Sequence, residues 1–368
     1  MSDEVFRSVS KKLGLGCMRF PLTSDGAIDI ETVKKMVDLF IKEGFNYFDT
    51  AHGYLNGRSE GAVKEALTSR YPRESYLLAD KLSNGFFKKE EDIRPLFESQ
   101  LAQCGVGYFD YYLMHALDGE SYKKYCSTNA FTVASRLKEE GKIRHVGMSF
   151  HDSADVLRKI LSEQKVIEFV QLQINYADWE DEKVQSRLCY ETCVEFGCPV
   201  IVMEPVKGGN LSSLHPEAEA VFNTLEDRGS NASYALRFVN DLENVKVILS
   251  GMSSMEQVED NIKTFKAPKS LDENEKDAIR KAAQIIKREG SIACTKCNYC
   301  TEVCPVDMPI PSIFAVMNRR DERSYDEITH KVKASACLKC GKCEKACPQH
   351  LPIRRYLEQA AFRYEKAN

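Results

Sequence analysis

The sequence predicts an α/β chain: a (β/α)8 TIM barrel followed by a small, largely helical domain. Three observations carry this expectation. Short apolar runs alternate with amphipathic stretches from residue 45 to residue 250. Most of these runs recur about every 30 residues, the length of one strand–helix unit. Cysteine is concentrated beyond the last run, with 6 before residue 290 and 8 within the last 78 residues. At 368 residues, 43% apolar and 29% charged, the chain has enough material for a large core and a second domain.

The elements follow in order. LGLGCM near Leu13 reads as the first strand, and FNYFDT, SYLLAD, DYYLMH, IRHVGMS, FVQLQIN, PVIVME and VKVILS as the next seven, ending near residues 50, 81, 115, 149, 175, 204 and 250. These runs are short and many are rich in β-branched and aromatic residues, as buried strands are. Between the first two, residues 31–43 place Val33, Met36, Val37, Phe40 and Ile41 on one helical stripe, and Gly44 ends it. Residues 59–69 and 180–196 read similarly, and Asp152 or Ser153 is placed to cap a helix over 154–161. Eight such units suit a closed barrel better than an open doubly wound sheet, which has fewer strands. KAPKSLDENEKDAI, with Pro268, then leads into a helix that runs to Arg288 and breaks at Gly290. The expected division is a barrel over 1–268, a connecting helix over 269–290 and a C-terminal domain over 291–368.

Charge excludes some partners. Lys and Arg number 51 against 55 Asp and Glu, a net charge of -4, so neither nucleic acid nor an anionic membrane is expected as a partner. Residues 1–13 lack the apolar core of a signal peptide, and no run reaches the roughly 18 apolar residues of a membrane span. The expectation is a cytoplasmic protein. In that reducing compartment, clustered cysteines point to metal rather than disulfides.

The cysteines form a repeat. Residues 293–310 (ACTKCNYCTEVCPVDMPI) and 336–353 (ACLKCGKCEKACPQHLPI) match at an offset of 43 residues. Each copy reads C-x2-C-x2-C-x3-C-P and resembles the bacterial dicluster ferredoxin signature. The resemblance implies two [4Fe-4S] clusters held crosswise, one by Cys294, Cys297, Cys300 and Cys347, the other by Cys337, Cys340, Cys343 and Cys304. A pair of zinc sites is the alternative, although the third cysteine and the C-P step are superfluous to zinc. The link from Cys304 to Cys337 is longer than in compact ferredoxins and carries a helical stretch over 311–328. Residues 291–368 hold 13 Lys and Arg against 9 Asp and Glu, +4 from side chains. Two clusters with four thiolates each add about -2 apiece, so this iron–sulfur domain comes out near neutral. Cys104, Cys126, Cys189, Cys193 and Cys198 are expected to pack in cores, as buried free cysteines do. Cys17 ends the first strand near any cofactor, where packing competes with a role in sensing oxidants.

Active sites of such barrels form at the C-terminal strand ends. There stand Asp49 and, five residues on, Tyr54, followed by Lys81 and His115 at the next two strand ends. Singly each has an ordinary structural explanation; together they are a constellation. On these four residues the chain resembles the aldo/keto reductase family across residues 8–265. The resemblance implies reduction of a small carbonyl substrate, an aldehyde or ketone, with NADP(H) as coenzyme and NAD(H) as the alternative. Tyr54 is then the proton donor. A phenol titrates near about 10 when unperturbed, and a neighbouring ammonium, here Lys81, acidifies it. Asp49 holds Lys81 charged and in place, and His115 donates a hydrogen bond to the substrate oxygen.

The same resemblance implies coenzyme contacts. Ser149 and Gln171 fall where relatives hold the nicotinamide carboxamide, with Phe150 in place of a frequent Asn. Lys207 and Gly208, in EPVKGGNL, fall on the pyrophosphate loop. Ser253, Gln257, Asp260 and Asn261, in GMSSMEQVEDN, fall on the adenosine segment, and Gln257 stands where many relatives carry an arginine. Hydride transfer moves two electrons together, whereas each cluster passes one, and no pattern announces a flavin to convert between them. Three functions therefore stay open: a carbonyl reductase whose clusters exchange electrons with a redox protein; the same reductase with structural clusters; or an electron-transfer or redox-sensing adaptor whose barrel does not turn over. The C-terminal domain is also expected to occupy the place that a C-terminal loop takes over the barrel mouth in relatives.

Overall fold

The computed structural model describes residues 2–226, 228–319 and 323–365. Eight parallel strands close into a barrel in sequence order: β1 Leu13–Gly16, β2 Tyr47–Asp49, β3 Leu77–Ser83, β4 Phe109–Leu117, β5 Ile143–Phe150, β6 Phe169–Gln173, β7 Val200–Met203 and β8 Val245–Ser250. Closure is made by β1 against β8, with Leu13 paired to Ile248.

Strand alternation sorts the side chains. Tyr47, Leu77, Ala79, Tyr111, Leu113, Phe169, Ile201, Val247 and Leu249 point inward and fill the barrel. Phe6 plugs its base, stacked on Tyr111 at 5.2 Å. Phe48, Leu78, Tyr112, Met114, Val146, Met148, Val170 and Val202 point outward into the layer under the helices. The inward layer is tight: a Cβ on Gly147 would lie 2.4 Å from the Phe169 ring, so only glycine fits there. Two residues beyond Tyr47, Ala79, Leu113, Gly147 and Phe169, the next inward positions are Asp49, Lys81, His115, Ser149 and Gln171. The apolar plug thus gives way to a polar layer at the C-terminal mouth.

The helices follow their patterns with two corrections. Ile30–Lys42 is capped by Asp29, whose side chain accepts from Thr32 N, and ends at Gly44 with φ +81°. The helix expected over 180–196 starts later, at Ser186–Glu195, because residues 179–185 turn and Gln185 has a positive φ of 53°. Neither Asp152 nor Ser153 caps Ala154–Glu163 with its side chain; Gln185 Oε1 accepts from Ala154 N instead. The helix Glu273–Glu289 has Asp272 and Glu275 in a reciprocal cap and packs Ala278, Ile279 and Ala282 against Ala218, Phe222 and Tyr234 on the barrel flank. Cys17, Cys104, Cys189, Cys193 and Cys198 are buried, as expected, but Cys126 is exposed.

The C-terminal domain has its own core, built on Met308, Ile310, Ile313, Phe314, Val316, Ile353 and Leu357. The stretch over 311–328 forms two helices, Ile310–Arg319 and Arg323–Ile328, with residues 320–322 outside the described residues. The sequence repeat is a backbone repeat too. Lys296, Asn298 and Asp307 are left-handed, and so are Lys339, Gly341 and His350, each 43 residues later. Among the described residues, no helix is long and apolar enough to cross a membrane.

Candidate active site at the barrel mouth

A cavity of about 460 Å³ opens at the C-terminal strand ends, and Asp49, Tyr54, His115, Ser149 and Gln171 line it. Lys81 lies beneath, 0% exposed, donating from Nζ to Asp49 Oδ1 and to the Thr50 carbonyl, each at 2.7 Å. Its ammonium sits 4.7 Å from the centre of the Tyr54 ring. The four residues singled out in the sequence therefore converge.

Burial, followed by the charges of Asp49 and Asp80, holds the Tyr54 phenol well above its ordinary value. In the resting site Tyr54 therefore keeps its proton. Burial and the neighbouring Lys81 charge hold His115 well below the usual imidazole value, so its ring is neutral. Its Nδ1 lies 2.6 Å from Ser83 Oγ. Tyr125 fixes the same residue's backbone, its hydroxyl accepting from His115 N and donating to His115 O. Ser83 and Tyr125 escaped sequence reading; Ser83 was reachable as the inward position two residues past Lys81 in β3.

The positions expected to hold coenzyme divide. Ser149 Oγ accepts from Ala116 N at 2.7 Å, which leaves its own hydrogen to donate into the cavity. Gln171 Oε1 is buried with no hydrogen-bond partner, a vacancy that a primary amide would fill. Gly208, Ser253, Gln257, Asp260 and Asn261 line the same cavity further out. Ser253 N donates to Gln257 Oε1, Ser230 Oγ to Asp260 and Asn261 Nδ2 to Ser250 Oγ. Phe150 is buried under the helices. Lys207 departs from expectation. Its backbone is left-handed, with φ 49°, and its ammonium is turned away to pair with Asp178 in a neighbouring cleft.

The C-terminal domain docks on this mouth. Arg19 Nη2 donates to the Thr295 carbonyl at 2.5 Å, Asn210 Nδ2 to the Cys294 carbonyl at 2.9 Å, and the side-chain amides of Gln173 and Gln349 pair reciprocally. A Cβ on Gly208 would lie 2.2 Å from Thr295 O, so this glycine admits the docking loop. Cys297, Tyr299, Pro348 and Gln349 form part of the cavity wall.

The eight cysteines of the repeat surround two small cavities. Cys294, Cys297, Cys300 and Cys347 line one; Cys304, Cys337, Cys340 and Cys343 line the other. Each set takes three cysteines from one copy and the fourth from the other. Among the described residues, no three His, Cys, Asp or Glu side chains gather closely enough to hold a single metal ion. Four thiols spaced around a cavity suit a multi-iron cluster better than zinc. Cys297 and Gln349 line both the first cysteine cavity and the barrel-mouth cavity.

Comparison with known proteins agrees with this geometry. Residues 293–351 match a 4Fe-4S dicluster domain. An uncharacterised oxidoreductase of Schizosaccharomyces pombe is 29% identical over 271 residues, covering 69% of this chain and 81% of that protein. The NADH-specific methylglyoxal reductase of Escherichia coli is 30% identical over 188 residues, covering 46% and 55%. The holo structure of an aldo-keto reductase from Bacillus halodurans superposes with a TM-score of 0.60 at 24% identity, over 74% of this chain and 91% of that one. An aldo-keto reductase from Klebsiella pneumoniae in complex with NADPH gives 0.59 at 20%, over 73% and 90%. Residues 12–284, the whole barrel and most of the helix that follows, match the aldo/keto reductase family, and the chain belongs to it.

Proposed function

We propose that this oxidoreductase reduces a small aldehyde or ketone with NADP(H), that Tyr54 gives the proton, and that residues 291–368 carry two [4Fe-4S] clusters. We divide the chain accordingly into a catalytic barrel over 1–268, a connecting helix over 269–290 that also packs on the barrel, and the iron–sulfur domain. The observation that carries the reading is the buried Asp49–Lys81 pair beneath the Tyr54 ring, with His115 on the same cavity.

The nicotinamide, when bound, supplies the hydride. Ser149, with its hydroxyl hydrogen free, and Gln171, with Oε1 unpartnered, would hold its carboxamide. Gly208, Ser253, Gln257, Asp260 and Asn261 border the rest of the coenzyme; Lys207, committed to Asp178, takes no part. Ser83 donates to His115 Nδ1, which leaves the hydrogen on Nε2 to hold the substrate oxygen. Tyr54, protonated at rest, passes its proton to that oxygen as negative charge develops there. The Lys81 ammonium stabilises the phenolate left behind, and Asp49 fixes the ammonium in place. Tyr54→Phe is expected to lower kcat by about a thousandfold, within the usual range for a general acid, without loss of coenzyme binding. Unchanged turnover would remove the assignment.

The E. coli relative is named for NADH and the K. pneumoniae structure holds NADPH. Gln257, a neutral side chain, leaves NAD(H) as the second reading, and kcat/KM with each coenzyme decides between them. A [4Fe-4S] cluster, when bound, passes one electron at a time. The wall shared by the inner cysteine cavity and the barrel mouth favours an electron-passing role over a purely structural one. Anaerobic addition of NADPH followed by EPR tests this, and silence after addition would leave the clusters structural.

A further inference from the structure

The two cysteine cavities face different surroundings. The inner one shares Cys297 and Gln349 with the barrel mouth, while the outer one reaches solvent: Cys340 is exposed and Leu338, which lines the cavity, is 64% exposed. Charge follows the same division. Residues 291–310, around the first repeat, carry Lys296 against Glu302 and Asp307. Residues 331–358, around the second, carry seven lysines and arginines against two glutamates, Glu344 and Glu358. Those glutamates are engaged with Arg354 and Lys339. Lys342, Lys345 and Arg355 are exposed and make no ion pair among the described residues. A domain that is near neutral in sum therefore presents its cations beside the solvent-facing cavity.

We propose that this face is the docking surface for an acidic one-electron carrier protein, with Leu338 as the apolar centre and Lys339, Lys342 and Lys345 around it. The proposal rests on the reading that the cavities hold clusters. Complementary charge favours an acidic partner and speeds its encounter. A second copy of this chain would bring like charge onto like charge. The step is one electron from the carrier's reduced centre into an oxidised cluster; no bond is made or broken, and no proton moves. The outer cavity then receives the electron and the inner cavity stands against the barrel mouth, the two joined by the crossed cysteines.

The test uses the full-length, iron-loaded protein and a reduced acidic [2Fe-2S] ferredoxin, mixed anaerobically under stopped flow. The readout is the second-order rate of cluster reduction. Raising ionic strength from about 20 to about 500 mM should lower the rate by about tenfold or more, because screening shortens the reach of the charges. The double variant Lys342→Glu/Lys345→Glu should be slower by about tenfold at low salt and lose most of the salt dependence, while a small neutral reductant still reduces it at the wild-type rate. A wild-type rate that ignores salt or rises with it overturns the proposal, as does a double variant reduced as fast as wild type. If the variant fails to hold iron, the wild-type salt series decides, together with carbodiimide cross-linking of the wild-type pair. Cross-links to Lys339, Lys342 or Lys345 support the site, and links confined to other lysines refute it. The assay contains neither carbonyl substrate nor nicotinamide, so failure of the carbonyl-reductase reading is separable. Failure of the cluster reading shows as a chain without iron.

Discussion

Ser83 illustrates how one hydroxyl governs the chemistry of a neighbour. Its Oγ lies 2.6 Å from His115 Nδ1 and, donating there as proposed, leaves the ring hydrogen on Nε2. Ser83→Ala removes that hydrogen bond, worth about 1 kcal/mol, so kcat/KM should fall about fivefold with little change in thermal stability. A loss equal to that of Tyr54→Phe would mean the variant has disturbed the pocket as a whole. His151, on the same cavity, gives a pH signature. Burial, followed by the nearby His350, pushes its imidazole down to about 4 from an ordinary value near 6.5. Between those values the unfolded chain binds a proton that the native one does not, so this contribution to stability is complete above about pH 6.5 and is lost as pH falls toward about 4. The cost is about 3 kcal/mol, and His151→Gln should flatten the acid limb of a denaturation series. At this scale the strand-end residues were legible because strands alternate with a period of two and polar groups interrupt an apolar run visibly. The pairing of Lys207 with Asp178 was not legible, because a lysine beside two glycines gives no sign in sequence of the left-handed turn that swings it there. The height of the resting phenol was not legible, because burial, its largest cause, has no residue letter.

Among the elements, the turn after β7 decides how the two parts of the chain meet. Gly208 has φ +63° and lies against the Thr295 carbonyl, so Gly208→Ala is strained twice, by its own backbone and by the contact. The expected result is a barrel that folds but a C-terminal domain that no longer seats, seen as faster proteolysis between the two with the barrel's thermal transition retained. Unaltered proteolysis would show that the loop yields easily. The barrel's strands and most of its helices were readable, since each carries its own periodicity and stop signal. The late start of the helix Ser186–Glu195 was not. Its pattern continues back through Glu180, yet Gln185 is needed as the cap of Ala154–Glu163, and a partner so distant in sequence leaves no local mark.

For the whole molecule, the crossed grouping of the cysteines around the two cavities makes the two repeats interdependent. The chain should bind about eight irons. Cys304→Ser removes a ligand from the cavity otherwise formed by the second repeat, and Cys347→Ser one from the cavity of the first. Each variant should therefore lose the EPR signal belonging to the opposite repeat, and loss of the signal from its own repeat would overturn the pairing. That arrangement was expected from the resemblance of both copies to the dicluster signature, whose cysteine spacing is written in the sequence. The seat of the domain on the barrel was anticipated only by analogy with a loop in relatives. The contacts that make it, Gln173 with Gln349 and Arg19 with Thr295, join residues far apart in the chain whose letters carry no sign of one another. Cys297 belongs to both the inner cysteine cavity and the barrel-mouth cavity, so with the proposed cluster in place the barrel mouth would share the fragility of that metal. On that reading, protein handled in air would lose the shape of the barrel mouth along with its colour, and anaerobic purification becomes a condition of studying even the hydride chemistry.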